Sequence, residues 1–275
     1  MSIKLIAIDI DGTLINDQRQ ITPKTVTALK KASAAGIKVV LCTGRPMTGV
    51  EAYLEQLGVA NQDNEYVVSF NGGLAQSTSG NVIVDHSISF NDYVDWENYC
   101  LKEGVHSQIE TRDYIYTTNQ NLSYYTIYES ELVSMPVRYR SMDEMSRERD
   151  QYIIAKAMMV DTKDKIDTVL ADLPQDLRDR FSIVRSEDFY LEFMHPDASK
   201  GKTLKTLSKQ LGIKQNEVMA LGNAQNDNSM IEFAGIGVAM GNSIPETLAV
   251  ADVTVADNNH DGVAEAVNKY VFDQK

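Results

Sequence analysis

Asp9 and Asp11 stand two residues apart at the end of an apolar run, Leu5-Ile6-Ala7-Ile8, and Gly12 and Thr13 follow at once. On an extended chain residues i and i+2 face the same side, so the two carboxylates share a face. Acids that close disfavour joint ionisation unless a cation lies between them. An acid at the end of a buried strand must in any case be paired, bind a cation or take part in chemistry. A divalent metal answers both demands, and Gly12 lets the chain turn sharply just beyond the pair. On this motif alone, two acids capping a turn explain the residues equally well.

The elements that must position this pair follow an alternating pattern. The strand Lys4 to Ile10 precedes a helix capped by Thr22, with Pro23 at its first position, that runs to about Ala35 and stops at Gly36. A strand from Ile37 to Leu41 leads to Thr43-Gly44-Arg45-Pro46, where Pro46 suits the first turn of a helix ending near Leu57 and Gly58. A third strand, Tyr66 to Phe70, ends at Asn71-Gly72-Gly73, and residues 77–80 read as a hairpin tip before Val82 to Val84. Towards the carboxyl end, Leu204, Leu207 and Leu211 mark one face of a helix from Lys200 that stops at Gly212. The strand Val218 to Leu221 then enters Gly222-Asn223-Ala224-Gln225-Asn226-Asp227, and two more strands, Gly237 to Met240 and Val253 to Val255, alternate with helices. This rhythm predicts an α/β fold with a parallel sheet covered on both faces, whose ligands bind outside the carboxyl ends of the strands.

Those strand ends carry Asp9, Asp11, Thr13, Thr43, Arg45, Asn71, Asn223, Asn226 and Asp227, with Lys200 at a helix start. Each has a plainer reading. Thr43 and Arg45 suit a helix cap and a solvated charge, Lys200 a surface lysine, Asn71-Gly72-Gly73 a turn, and Asp227 the cap of the helix it opens.

Composition divides the chain again. Of 16 glycines only Gly104 lies between Asp85 and Leu191, whereas 10 of 13 tyrosines and the sole Trp96 lie there, so the middle reads as a separate domain inserted into a Gly-rich outer one. Within it, Tyr152 to Val160 and Phe189 to Met194 read as strands and Lys163 to Ala171 as a helix, which predicts an α+β lid. His106 and the pair Tyr124-Tyr125 read as packing residues ahead of substrate contacts, and His195 sits in a loop suited to a hinge. The formal net charge of −13 and the lack of a Lys/Arg run argue against nucleic acid. No apolar run reaches the roughly 18 residues needed to span a bilayer, and no signal-peptide pattern is present, so a cytoplasmic location without membrane association is expected. With only Cys42 and Cys100, neither disulfides nor structural zinc are expected. An acidic chain acting on an anion needs cations beside Asp9, and Lys200 and Arg45 are the candidates.

Taken in order, Asp9-Ile10-Asp11-Gly12-Thr13, Thr43-Gly44-Arg45, Lys200-Gly201 and Gly222-x-x-x-Asn226-Asp227 make the chain resemble a haloacid dehalogenase superfamily phosphatase of the Cof type over essentially its whole length. The resemblance implies a Rossmann-like core of residues 1–85 and 191–275 and a cap of residues 86–190. It implies that Asp9 attacks phosphorus to give an aspartyl-phosphate, while Asp11 protonates the leaving alkoxide and then activates water. It implies Mg²⁺ held by Asp9, Asp11, Asn223 and Asp227. Thr43, Gly44, Arg45, Asn71, Lys200 and Asn226 would bind the phosphate or the rest of the substrate. The expected substrate is a small phosphorylated metabolite, with sugar phosphates the implied class, and a homodimer is compatible with the reading. A cap of this kind is expected to close over the substrate and select it.

One position departs from the family pattern, in which the last motif reads Gly-Asp-x-x-Asn-Asp: the usual metal-binding Asp is Asn223 here. An amide oxygen binds Mg²⁺ but supplies no charge, which leaves Asp227 as the carboxylate on that side, acting through water or by fixing Lys200. The expectation is weakened metal affinity with the reaction retained. The rival is a noncatalytic phosphometabolite-binding protein. A Rossmann-type dehydrogenase ranks lower still, since no Gly-x-Gly-x-x-Gly follows the first strand.

Overall fold

Leu5, Ile6, Ala7 and Ile8 are fully buried, because both faces of the strand they form, β1 (Leu5–Ile8), are covered. The computed structural model describes residues 2–273, which divide into two compact units. The first holds the chain up to Gly44, Val50–Asp85 and the chain from Ser199; the second holds Arg45–Gly49 and His86–Ala198. Residues 45–49 and 191–198, placed by sequence in the outer part, group with the second unit.

After β1 the chain forms α1 (Pro23–Ala34), β2 (Lys38–Cys42), α2 (Glu51–Leu57), β3 (Tyr66–Ser69), β4 (Leu74–Ser77) and β5 (Val82–Asp85). The second unit contributes α3 (Phe90–Glu103), β6 (Ser107–Glu110), β7 (Ile115–Thr117), α4 (Tyr124–Val133), β8 (Val137–Tyr139) and α5 (Met142–Arg147). It continues with β9 (Lys156–Val160), α6 (Lys163–Ala171), α7 (Gln175–Arg180), β10 (Ser182–Glu187) and β11 (Tyr190–Met194). The chain returns through α8 (Lys200–Gln210), β12 (Val218–Gly222), α9 (Asn228–Phe233), β13 (Ile236–Ala239), α10 (Pro245–Val250), β14 (Val253–Thr254) and α11 (Gly262–Val267).

In the first unit one sheet runs β14-β13-β12-β1-β2-β3-β4-β5. The six strands from β14 to β3 are parallel, and β4 and β5 extend the sheet antiparallel. β1 lies between β12 and β2, with Ile8 level with Leu221 on one side and Leu41 on the other, so the three following loops emerge at one edge. Leu5 and Ala7 pack with Leu204 and Leu207 of α8 and Met230 of α9. Thr22 caps α1 by accepting from the Thr25 N–H at 3.3 Å, with Pro23 at its first turn. Pro46 does not open a helix: Met47–Gly49 form a short 3₁₀ turn and α2 starts at Glu51. The Thr48 hydroxyl donates to the Val133 carbonyl at 3.1 Å, a tertiary tie that holds this segment in the second unit and overrides the local proline signal.

In the second unit a six-stranded sheet runs β10-β11-β9-β6-β7-β8, antiparallel except between β7 and β8. Ile109, Ala157, Met159, Leu191 and Phe193 pack with Trp96 in the core on one face. The alternate residues Glu110, Lys156 and Glu192 point to the other face. There Lys156 Nζ lies 3.3 Å from Glu110, 3.6 Å from Glu192 and 3.7 Å from Glu129 of α4. All four side chains are buried. Burial pushes the Glu110 carboxyl up to about 8, and Lys156 pulls it back only in part. Burial also works against the Lys156 charge, but Glu110, Glu192 and Glu129 outweigh it and hold that ammonium above its usual range. Cys42 and Cys100 are buried free thiols. Among the described residues no helix is long and apolar enough to cross a membrane.

Candidate active site

Asp9 follows β1 directly, and its N–H still bonds the Leu221 carbonyl of β12 at 3.0 Å, so the sheet fixes its backbone. The chain then doubles back: Leu14 N–H bonds the Asp9 carbonyl at 3.1 Å and Ile15 N–H the Ile10 carbonyl at 3.1 Å. Gly12 makes this turn with φ +77°, and a Cβ there would stand 2.6 Å from the Asn223 amide nitrogen. Only glycine meets both conditions.

Lys200 brings the distant parts together. Its ammonium donates to Asp9 Oδ1 at 2.7 Å and to Asp227 Oδ1 at 2.7 Å, and its side chain is fully buried. Lys200 reaches this depth because the first turn of α8 abuts the start of α9. Gly201 N–H bonds the Ser229 hydroxyl at 3.0 Å, and a Cβ on Gly201 would lie 2.1 Å from the Ser229 carbonyl oxygen. Ser199 caps the helix through the Lys202 N–H at 3.1 Å. Burial disfavours the Lys200 charge, but Asp9 and Asp227 more than restore it, leaving its affinity for the proton above that of an ordinary lysine. Burial pushes the Asp9 carboxyl up to about 7; Lys200 pulls it down, and Asp227 and Asp11 push it up. The cluster thus holds more negative charge than its one buried ammonium offsets.

Asp227 Oδ2 accepts from the Asn223 N–H at 2.9 Å and the Ala224 N–H at 3.0 Å. With Lys200 on its other oxygen, this buried carboxylate anchors both the lysine and the turn carrying Asn223. Of the two roles open to Asp227 from sequence, the observed contact is with Lys200. Asn223 Oδ1 accepts from the Thr13 hydroxyl at 3.0 Å, which joins the β1 and β12 loops beside Gly12. Asn242, which carries no motif signal in sequence, ties the same place by donating to the Gly12 carbonyl at 2.9 Å.

Thr43 follows β2, where its N–H bonds the Val68 carbonyl and its carbonyl accepts from the Asn71 N–H, both at 2.9 Å. Phe70 and Asn71 have φ of 52° and 53°, a left-handed conformation that costs about 1–2 kcal/mol for a residue such as Phe and less for Asn. The Asn226 amide donates to Asn71 Oδ1 at 2.9 Å. Asp9, Lys200, Asp227, Asn223 and Thr13 therefore form one connected group, and Thr43, Asn71 and Asn226 a second, all at one edge of one sheet. Arg45 follows Gly44 directly but belongs to the second unit, where its guanidinium donates to the Gly49 carbonyl at 3.3 Å. His106 pairs with Asp161 at 2.7 Å. Tyr125 stacks on Phe189, but Tyr124, expected to pack, is 74% exposed.

The donors here suit Mg²⁺. Among the described residues no three His, Cys, Asp or Glu side chains converge as a ready metal cage. Mg²⁺ needs none: it takes oxygen ligands, keeps waters and commonly relies on one or two carboxylates plus substrate phosphate. Asp9 and Asp11 offer carboxylate oxygens and Asn223 an amide oxygen, the one that accepts from the Thr13 hydroxyl, and the surplus negative charge around Asp9 is what a dication would neutralise.

A parallel sheet with this acid pair after its central strand, a buried lysine on the first acid and an Asn-Asp turn on the neighbouring strand defines a haloacid dehalogenase-like hydrolase. The chain belongs to that family, matching it over residues 6–267. A Streptococcus pyogenes serotype M6 protein, provisionally named a phosphatase, is 43% identical over 273 residues, covering 99% of this chain and 100% of the relative. A haloacid dehalogenase-like hydrolase from Bacteroides thetaiotaomicron has a similar structure, with TM-score 0.85 and 29% identity over 98% of this chain and 99% of that one. The subclass IIB sugar phosphatase BT4131 is similar at TM-score 0.74 and 25% identity, over 97% of this chain and 98% of the other.

Proposed function

We propose that this chain is a Mg²⁺-dependent phosphatase that hydrolyses small phosphorylated metabolites, sugar phosphates among them, through a phosphoryl group carried on Asp9. The observation that carries the reading is the buried chain Asp9–Lys200–Asp227, with 2.7 Å at each link. The phosphatase name of the streptococcal relative supports the reaction. The likeness to a sugar phosphatase, and the resemblance of the motif set to the sugar-phosphate phosphatase YidA, support the substrate class.

In the first step an Asp9 carboxylate oxygen attacks phosphorus, the bond to the ester oxygen breaks, and Asp11 gives its proton to the departing alkoxide. In the second, Asp11 takes a proton from water, the resulting hydroxide attacks the phosphoaspartate, and phosphate leaves with Asp9 restored. Lys200 contributes positive charge beside the attacking oxygen, and because Asp227 anchors it, little reorganisation is needed as charge builds. The Thr43 hydroxyl, the backbone at Gly44 and the Asn226 amide bind phosphoryl oxygens. Asp9, the Asp11 carbonyl and Asn223 would hold Mg²⁺, which when bound neutralises phosphoryl charge and orients the ester for in-line attack. Selection among esters, and any contribution of Arg45 to it, we assign to the second unit.

Asn223 favours one second reading, a protein that binds phosphometabolites without turning them over. Phosphate release from a panel of sugar phosphates and other small esters, with and without Mg²⁺, separates the two. Mg²⁺-dependent release is expected. Binding without release at any Mg²⁺ concentration would favour the second reading.

A further inference from the structure

The turn after β3 holds a strain that packing does not explain. Phe70 and Asn71 both adopt positive φ although glycines follow at 72 and 73. Phe70 earns its position by burial in the core, at 1% exposure. Asn71 is only partly buried, and asparagine tolerates this conformation better than most residues, so the contacts of its side chain show what it does there.

We infer that Asn71 is a positioning residue, which sets the Asn226 amide for the substrate's phosphoryl oxygens; the inference rests on the phosphatase reading above. Asn226 is exposed at the start of a short turn, where a free amide samples several rotamers and loses them on each binding event. Its Nδ2 donates to Asn71 Oδ1 at 2.9 Å, a bond that spans 155 residues of sequence and fixes the rotamer. The left-handed backbone makes this reach compatible with a second tie, from Asn71 N–H to the Thr43 carbonyl at 2.9 Å. The Asn71 amide lies over Gly44, where a Cβ would come within 3.2 Å of Nδ2. One residue thus links the Thr43-Gly44 loop to Asn226, two pieces of the phosphate site that arise from different strands. Its carbonyl oxygen, an acceptor with nothing to offer a phosphoryl oxygen, is engaged by Asn226; a direct contact would have to come from its Nδ2, and a double-mutant cycle separates the two.

The test is a double-mutant cycle on Asn71→Gly and Asn226→Ala, reading orthophosphate binding by calorimetry in Mg²⁺ buffer, ester KM and kcat, and Tm. Asn71→Gly should weaken orthophosphate binding and raise KM roughly tenfold, the scale of one neutral hydrogen bond, while Tm stays level or rises. In the Asn226→Ala background it should change neither quantity further. Asn71→Ala, which loses the amide but keeps the strain, should show the same loss of phosphate affinity at a lower Tm than Asn71→Gly. Additive losses would overturn the inference by showing that Asn71 touches phosphate itself. Unchanged affinity in both Asn71 variants would overturn it as well, as would a fall in Tm on Asn71→Gly that accounts for the weaker binding. If wild type neither binds orthophosphate nor turns over any ester, the phosphatase reading falls and takes this inference with it; an active wild type matched by Asn71→Gly overturns this inference alone.

Discussion

Lys200 Nζ lies 2.7 Å from Asp9 Oδ1, across 191 residues of sequence, in a place where the lysine side chain is completely buried. The positive charge suited to phosphoryl transfer is therefore in contact with the carboxylate suited to attack.

Removing that charge leaves two buried carboxylates unpaired. Lys200→Met should destabilise the protein by about 3–5 kcal/mol, as expected when one partner of a buried ion pair is deleted, and should reduce turnover more than it raises KM. Denaturant unfolding and steady-state kinetics check both. Unaltered stability would mean that Asp9 and Asp227 find other partners.

Restoring the missing acid should act on the metal. Asn223→Asp keeps an acceptor for the Thr13 hydroxyl, now 3.0 Å from Asn223 Oδ1, and adds a negative charge beside Asp9. The half-saturating Mg²⁺ concentration for ester turnover should fall several-fold. Without Mg²⁺ the added charge should lower Tm, and Mg²⁺ should raise Tm more in the variant than in wild type. Equal half-saturation in the two proteins would contradict the weakened-metal account.

The buried cluster of the second unit makes stability depend on pH. Burial pushes Glu110 up to about 8, far above its unfolded range, so the folded state holds a proton that the unfolded chain releases above about pH 4.5. The stability contributed by the neutral form is complete below the unfolded pKa and is lost as pH rises to about 8, at up to about 1.4 kcal/mol per pH unit. Glu110→Gln, neutral throughout, should gain on wild type steadily between pH 5 and 8. The check is the difference in unfolding free energy across that range, and a flat difference would contradict the assignment.

The visible and the hidden parts of this site differ in kind. β1 is legible because four consecutive apolar residues end in Asp9 and Asp11, and the cap and proline of α1 at Thr22 and Pro23 are local signals that the fold respects. Pro46 is an equally local signal, and it fails because Thr48 is tied to Val133, a contact no window around residue 46 contains. The bonds from Lys200 to Asp227 and from Asn226 to Asn71 join residues of a helix start and of turns that are distant in sequence, so motif order suggests proximity but not partners. Asn242 gives no sequence signal, since its role depends on a backbone carbonyl. The Lys156 cluster gives no local signal: the strands carry a single charged residue each, Glu110, Lys156 and Glu192, and only strand pairing brings them together.

The most direct test compares phosphate release from a small sugar phosphate in Mg²⁺ by wild type and by Asp9→Asn, with Tm recorded for both. The account predicts turnover by wild type and a loss of at least about a thousandfold in a folded Asp9→Asn protein, because the nucleophile is gone. A folded Asp9→Asn variant that releases phosphate at a rate near that of wild type would contradict it.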